Sequence, residues 1–195
     1  MRPVPEEQHK PVPLSREVEA LSIPDGKPAP LAKGTIVQVT QTLGNSYTVK
    51  TERGAKYRVA GSDGDAVAQP KLTTGTIQPT AQTVPAIATA ANKALRSVFD
   101  PEIPVDIVNL GLVHELTITP VAGDAGDEAK GFTATVRMGL TSPGCGMGDV
   151  LVRDVKEALG RIEGVKSVDA KVVLFPVWNP YTMMSEAAKL KLGLL

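Results

Sequence analysis

The chain has 195 residues, 42% of them hydrophobic but only 4% aromatic, which is enough for a real, mostly aliphatic core. Lys plus Arg and Asp plus Glu each number 21, so no net charge draws the chain to nucleic acid or to an anionic membrane. One cysteine excludes an intramolecular disulfide framework and suits a reducing compartment. No stretch approaches the roughly 18–20 apolar residues of a membrane span, and the first residues carry no apolar run of a signal peptide. The expectation is a cytoplasmic protein.

Residues 1–30 contain Pro3, Pro5, Pro11, Pro13, Pro24, Pro28 and Pro30. That density forbids regular helix and predicts an extended, Pro-rich arm. Residues 31–65 read as a small β module. Three β-prone runs, Thr35 to Thr40, Ser46 to Thr51 and Lys56 to Ala60, are separated by turn signals at Leu43-Gly44-Asn45 and Glu52-Arg53-Gly54-Ala55. Residues 66–84, rich in Thr, Gln, Pro and Ala, read as a linker with room for a short strand near Thr76-Ile77.

Residues 85–195 form the main domain of this reading. Ile87, Ala91, Ala94, Leu95 and Val98 share one face of a helix that Asp100-Pro101 ends. Gly111 to Thr119 alternates with Leu112, His114, Leu116 and Ile118 on one side. After a turn at Asp124 to Glu128, Phe132, Ala134, Val136, Met138 and Leu140 share a second strand face, completing a hairpin. Leu151, Val155, Ala158, Leu159 and Ile162 repeat the helical spacing, with Gly164 beyond the helix end. Val168, Ala170, Val172 and Leu174 give a third strand. Asn179 and Pro180 start a last helix that runs to Gly193. A right-handed β-α-β crossover makes the last two strands parallel neighbours. The predicted fold class is α+β: a compact α-β-β-α-β-α domain with a mixed three-stranded sheet, preceded by a small all-β module.

Three segments carry candidate chemistry. Cys145 sits in Leu140-Thr141-Ser142-Pro143-Gly144-Cys145-Gly146-Met147-Gly148-Asp149, between a strand and a helix start. Backbone N–H groups and the helix dipole favour a thiolate there, although Asp149 competes for the same dipole. A small buried hydrophobe is the alternative reading of Cys145. The glycine spacing is no phosphate loop, because no Lys-Ser or Lys-Thr pair follows. The second segment is Asp100-Pro101-Glu102-Ile103-Pro104-Val105-Asp106-Ile107, three carboxylates braced by two prolines. It is either a helix stop or a source of carboxylate oxygens for a metal that a thiolate also holds. His114 alternates onto an apolar face and reads as a hydrogen-bonded core or edge histidine before it reads as a ligand. The third segment, Phe175 to Ser185, holds the only tryptophan, Trp178, with Tyr181, Met183 and Met184. It either anchors the last helix or forms a partner-binding surface.

These segments together resemble the PaaD-like family of iron–sulfur maturation proteins, in its SufT branch. The motifs are Asp100-Pro101-Glu102-Ile103-Pro104-Val105-Asp106-Ile107-Val108-Asn109-Leu110-Gly111-Leu112-Val113, the Thr141-x-x-x-Cys145 turn, and Trp178-Asn179-Pro180-Tyr181-Thr182-Met183-Met184-Ser185. Other branches carry proline directly after the cysteine, where Gly146 stands here. The resemblance covers residues 85–195 and implies a non-enzymatic auxiliary factor of the SUF assembly system. Cys145, with Asp100 and Glu102, would be its metal-binding residues. It implies an iron–sulfur cluster held transiently or bridging, SUF assembly proteins and recipient apoproteins as partners, and a homodimer as a source of further thiolates. Two rival readings remain: a thiol-dependent enzyme with Cys145 as nucleophile and His114 as base, and a metal-free adaptor.

Overall fold

The computed structural model describes residues 10–100, 102–122, 130–142 and 146–194. The chain divides into two compact units, Met1–Thr74 with Pro101–Pro104, and Gly75–Asp100 with Val105–Leu195. Among the described residues no helix is long and apolar enough to cross a membrane.

The first unit is an antiparallel sheet of six strands: β1 (Val12–Pro13), β2 (Val18–Ile23), β3 (Pro28–Leu31), β4 (Ile36–Leu43), β5 (Ser46–Thr51) and β6 (Lys56–Ala60). Their order is β1-β4-β5-β6-β2-β3. The three strands read from the sequence are β4, β5 and β6. The other three come from the segment expected to be an arm, and the reason lies in where the prolines fall. β1 and β3 are the two edges, and they carry Pro13, Pro28 and Pro30. A proline lacks the N–H that an inner strand must donate, but an edge strand tolerates it. Inside, Leu14, Val18, Val37, Val39, Val49 and Val59 are buried together with Tyr47. Burial pushes the Tyr47 phenol above its ordinary pKa. Its hydroxyl donates to the Pro70 carbonyl at 2.7 Å. A 3-10 helix at Gly61–Val67 follows β6. Its Asp63 and Asp65 hold Arg16 at 2.8 and 3.1 Å.

The second unit follows the predicted order. It contains α1 (Val84–Leu95), β7 (Val113–Pro120), β8 (Phe132–Met138), α2 (Gly148–Gly160), β9 (Val165–Val172), α3 (Pro180–Met183) and α4 (Glu186–Lys191). β7 and β8 are antiparallel, and β8 and β9 are parallel, as the crossover requires. Phe132, Ala134, Val136 and Met138 are buried on the face that α1 and α2 cover, with Ile87, Leu95, Val155 and Leu159 packed from the helices. A fully buried side chain of this size contributes about 1.5–3 kcal/mol. The other face is polar: Thr133 meets Ser167 at 2.8 Å, and Arg137 donates to Asp169 at 3.0 Å.

The last helix differs from the expectation. It breaks in two at Met184, whose ψ of 148° is extended. Ser185 then caps α4 by accepting from the Ala188 N–H at 3.2 Å, while its own N–H donates to the Asn109 carbonyl at 2.9 Å. Two capping residues in one segment, Asn179 and Ser185, favour two starts over one long helix.

Candidate functional site

The acidic segment is closed at its base by backbone bonds. Phe99 and Asp106 form an antiparallel bridge, and the Ile107 N–H donates to the Val98 carbonyl at 2.9 Å. The three carboxylates part company from there. Asp106 caps the following turn, its two oxygens accepting from the Asn109 backbone N–H at 3.0 Å and side-chain amide at 2.7 Å. Glu102 is exposed. Asp100 is buried, only 6% exposed, and Oδ2 accepts from the Thr141 hydroxyl at 3.2 Å. A buried carboxyl must be given donors, so this bond has a structural use. It also ties the acidic segment to the stretch that leaves β8 and carries the cysteine.

Cys145 itself, with Pro143 and Gly144, lies outside the described residues. What flanks it is defined. Thr141 is half-buried on one side, and on the other Met147 is buried and its carbonyl accepts the first bond of α2, from the Leu151 N–H at 2.9 Å. Asp149 is in the first turn of that helix. Among the described residues no three His, Cys, Asp or Glu side chains converge to hold a metal ion.

His114 departs from its expected setting. The register of β7 against β8 slips between Val113 and Glu115, so His114 is the extra residue of a β-bulge and falls out of alternation. Its Nε2 is buried and has no hydrogen-bond partner among the described residues. A side chain on Gly139 would meet that nitrogen at 2.7 Å, so glycine is what lets the imidazole lie over the end of β8.

The third segment is fastened to the turn that Asp106 caps. Trp178 Nε1 donates to the Leu110 carbonyl at 2.7 Å. Gly111 has φ of +73°, and a Cβ there would run into the Met183 carbonyl. Met184 is buried at 4% exposure, Trp178 and Met183 are half-buried, and Tyr181 is 67% exposed. The sequence reading put Phe175 to Val177 in the third segment and Leu174 on the third strand; β9 ends earlier, at Val172. Leu174, Phe175 and Val177 are exposed, and with Leu140, Val172 and Trp178 they line an apolar groove of about 250 Å³. Thr141 was passed over as a carboxylate partner; its fixed distance ahead of the cysteine was the available signal.

A family model described as "Iron-sulfur cluster assembly protein" matches residues 89–172. An Fe-S protein maturation auxiliary factor of Porphyromonas gingivalis is 42% identical over 103 residues, which are 53% of this chain and 88% of that protein. The Staphylococcus aureus Fe-S protein maturation auxiliary factor SufT is 40% identical over 96 residues, 49% of this chain and 97% of that one. The auxiliary factor YitW of Bacillus subtilis is 39% identical over 101 residues, 52% of this chain and 88% of that protein. The chain belongs to this PaaD-like iron–sulfur assembly family. Membership bears out the resemblance, whose acidic and cysteine motifs lie within the family match. The family match runs from within α1 to the end of β9 and so includes Asp100, His114, Thr141 and Cys145. The six-stranded unit and the Trp178 segment lie outside that match.

Proposed function

We propose that this protein is a SufT-like auxiliary factor, without catalytic activity of its own, that helps deliver iron–sulfur clusters to recipient apoproteins in the cytoplasm. The cluster is cargo, held transiently. Cys145 supplies a thiolate, and Asp100 and Glu102 supply carboxylates that suit iron. The observation that carries this reading is the Thr141–Asp100 bond, which ties a buried carboxylate to the strand exit four residues before the only cysteine. Trp178, Tyr181, Met183 and Met184 belong to the segment proposed to meet SUF assembly proteins or recipients, with Tyr181 the most exposed of them.

One thiolate per chain cannot hold a cluster alone, so further thiolates come from a second chain or from a small thiol. Anaerobic reconstitution with iron and sulfide tests this. Iron and sulfide bind to a dimer, or to the protein with glutathione added, and Cys145→Ser abolishes binding and client maturation. A stable cluster on a strict monomer without added thiol overturns the ligand assignment. Cluster delivery unchanged in Cys145→Ser overturns the carrier reading.

A second reading has one observation in its favour. The Nε2 of His114, without a hydrogen-bond partner among the described residues, lies at the end of β8, as a base serving a thiol would need. If Cys145 is such a nucleophile, His114→Gln slows its alkylation by iodoacetamide at neutral pH. An unchanged rate removes this reading.

A further inference from the structure

We infer that the outer edge of β9 is a self-complementary interface at which two copies of this chain join their three-stranded sheets into one six-stranded sheet. β7 and β9 are the two edges of the sheet among the described residues. β7 is blunted by the bulge at His114 and by Pro120 at its end, both ordinary guards against edge pairing. β9 has no proline, and its own register slip, between Val165 and Ser167, is confined to its start; residues 167–172 are regular strand with exposed Lys171 as the deterrent.

The direction of the backbone groups fixes what the edge offers. The Val173 N–H donates inward to the Met138 carbonyl at 2.8 Å. Main-chain groups alternate along a strand, so Ser167, Asp169 and Lys171 also point theirs at β8. Val168, Ala170 and Val172 therefore aim N–H and C=O outward. An antiparallel second copy satisfies these groups only in registers that set one even-numbered residue against another.

Charge then selects among those registers. With Ala170 opposite Ala170 of the second copy, Val168 faces Val172, and Asp169 faces Lys171, twice by symmetry. Centring one residue earlier opposes Asp169 to Asp169, and one residue later opposes Lys171 to Lys171, both unfavourable. Centring on Val168 or Val172 leaves Lys171 opposite Val165 or Val173, without a countercharge. The exposed apolar stretch at Leu174 and Phe175 continues from this edge and, in the Ala170 register, lies beside the bulged start of the partner's β9. A strand that repels itself in neighbouring registers and pairs in one is specific for a second copy of itself. The inference does not depend on any cargo.

Sedimentation of the full chain, without iron, tests it. The parent forms a concentration-dependent dimer. Lys171→Glu sets acid against acid at both symmetric positions, and Asp169→Lys sets base against base. Each variant self-associates at least about tenfold more weakly, since two cross-strand pairs are reversed. Mixing the two variants restores the dimer, because Asp169 of the first then faces Lys171 of the second, and Glu at 171 faces Lys at 169. Recovery on mixing also shows that both variants are folded. A parent that is monomeric at all concentrations overturns the inference, as does a dimer indifferent to both substitutions or no recovery on mixing.

Discussion

Thr141 donates its hydroxyl to the buried Oδ2 of Asp100 at 3.2 Å, across 41 residues of sequence. That single bond joins the end of α1's exit loop to the strand exit that precedes the cysteine. It brings together the aspartate of the acidic segment and the threonine of the cysteine turn.

Thr141→Val keeps the side-chain shape and removes the donor. Asp100 retains other interactions, so the expected cost is about 1 kcal/mol rather than that of a stranded charge. Urea unfolding reads this directly. If Asp100 acts in iron binding, the variant also lowers iron uptake under reconstitution, whereas a loss of stability alone leaves uptake at saturation unchanged.

How far the sequence could be read depends on which interactions are local. α1, β7, β8, α2 and β9 were legible because their buried residues repeat at helical or strand spacing, as Phe132, Ala134, Val136 and Met138 do. β1 and β3 were not, because Pro13, Pro28 and Pro30 argue against strand in general and are acceptable only at an edge. Whether a strand is an edge is a property of the finished sheet. The bulge at His114 was hidden for a similar reason: it is a mismatch between two strands and leaves no mark on either alone. At the site, Asp100 and Thr141 were both within quoted motifs, but their bond is a tertiary fact.

Acid should weaken each unit through a named carboxylate. The Arg137 hydrogen bond holds Asp169 below the usual carboxylate pKa, with Lys171 assisting at 3.5 Å. Arg16 does the same for Asp65, helped by Lys71. A depressed folded pKa gives stability that is complete above the unfolded value of about 4 and is lost as pH falls through the folded value. Arg137→Met and Arg16→Met should therefore lower stability more at pH 7 than at about pH 3. Denaturant midpoints at the two pH values check the sign.

Gly111 is a position where only glycine serves. Its φ of +73° is strained for any L side chain, and a Cβ would strike the Met183 carbonyl, which is backbone and cannot rotate away. Gly111→Ala should cost about 2 kcal/mol or more and loosen the Trp178 segment from the 109–111 turn. Trp fluorescence should shift to the red along with the loss of stability.

Trp178 and Tyr181 separate anchoring from partner contact within one segment. Trp178 is half-buried and spends its indole N–H on the Leu110 carbonyl at 2.7 Å, whereas Tyr181 leaves 67% of its surface in solvent. Trp178→Phe removes the only donor and leaves that carbonyl one partner short, at a cost of about 1 kcal/mol or somewhat more. Tyr181→Ala should change stability by no more than about 0.5 kcal/mol, because an exposed side chain gives up little on truncation. If the segment meets recipient proteins, Tyr181→Ala slows client maturation in a fully stable protein. Thermal melts set beside a client activity assay decide between the two. Normal maturation in Tyr181→Ala, with lost stability in Trp178→Phe, would reduce the segment to an anchor for α3 and α4.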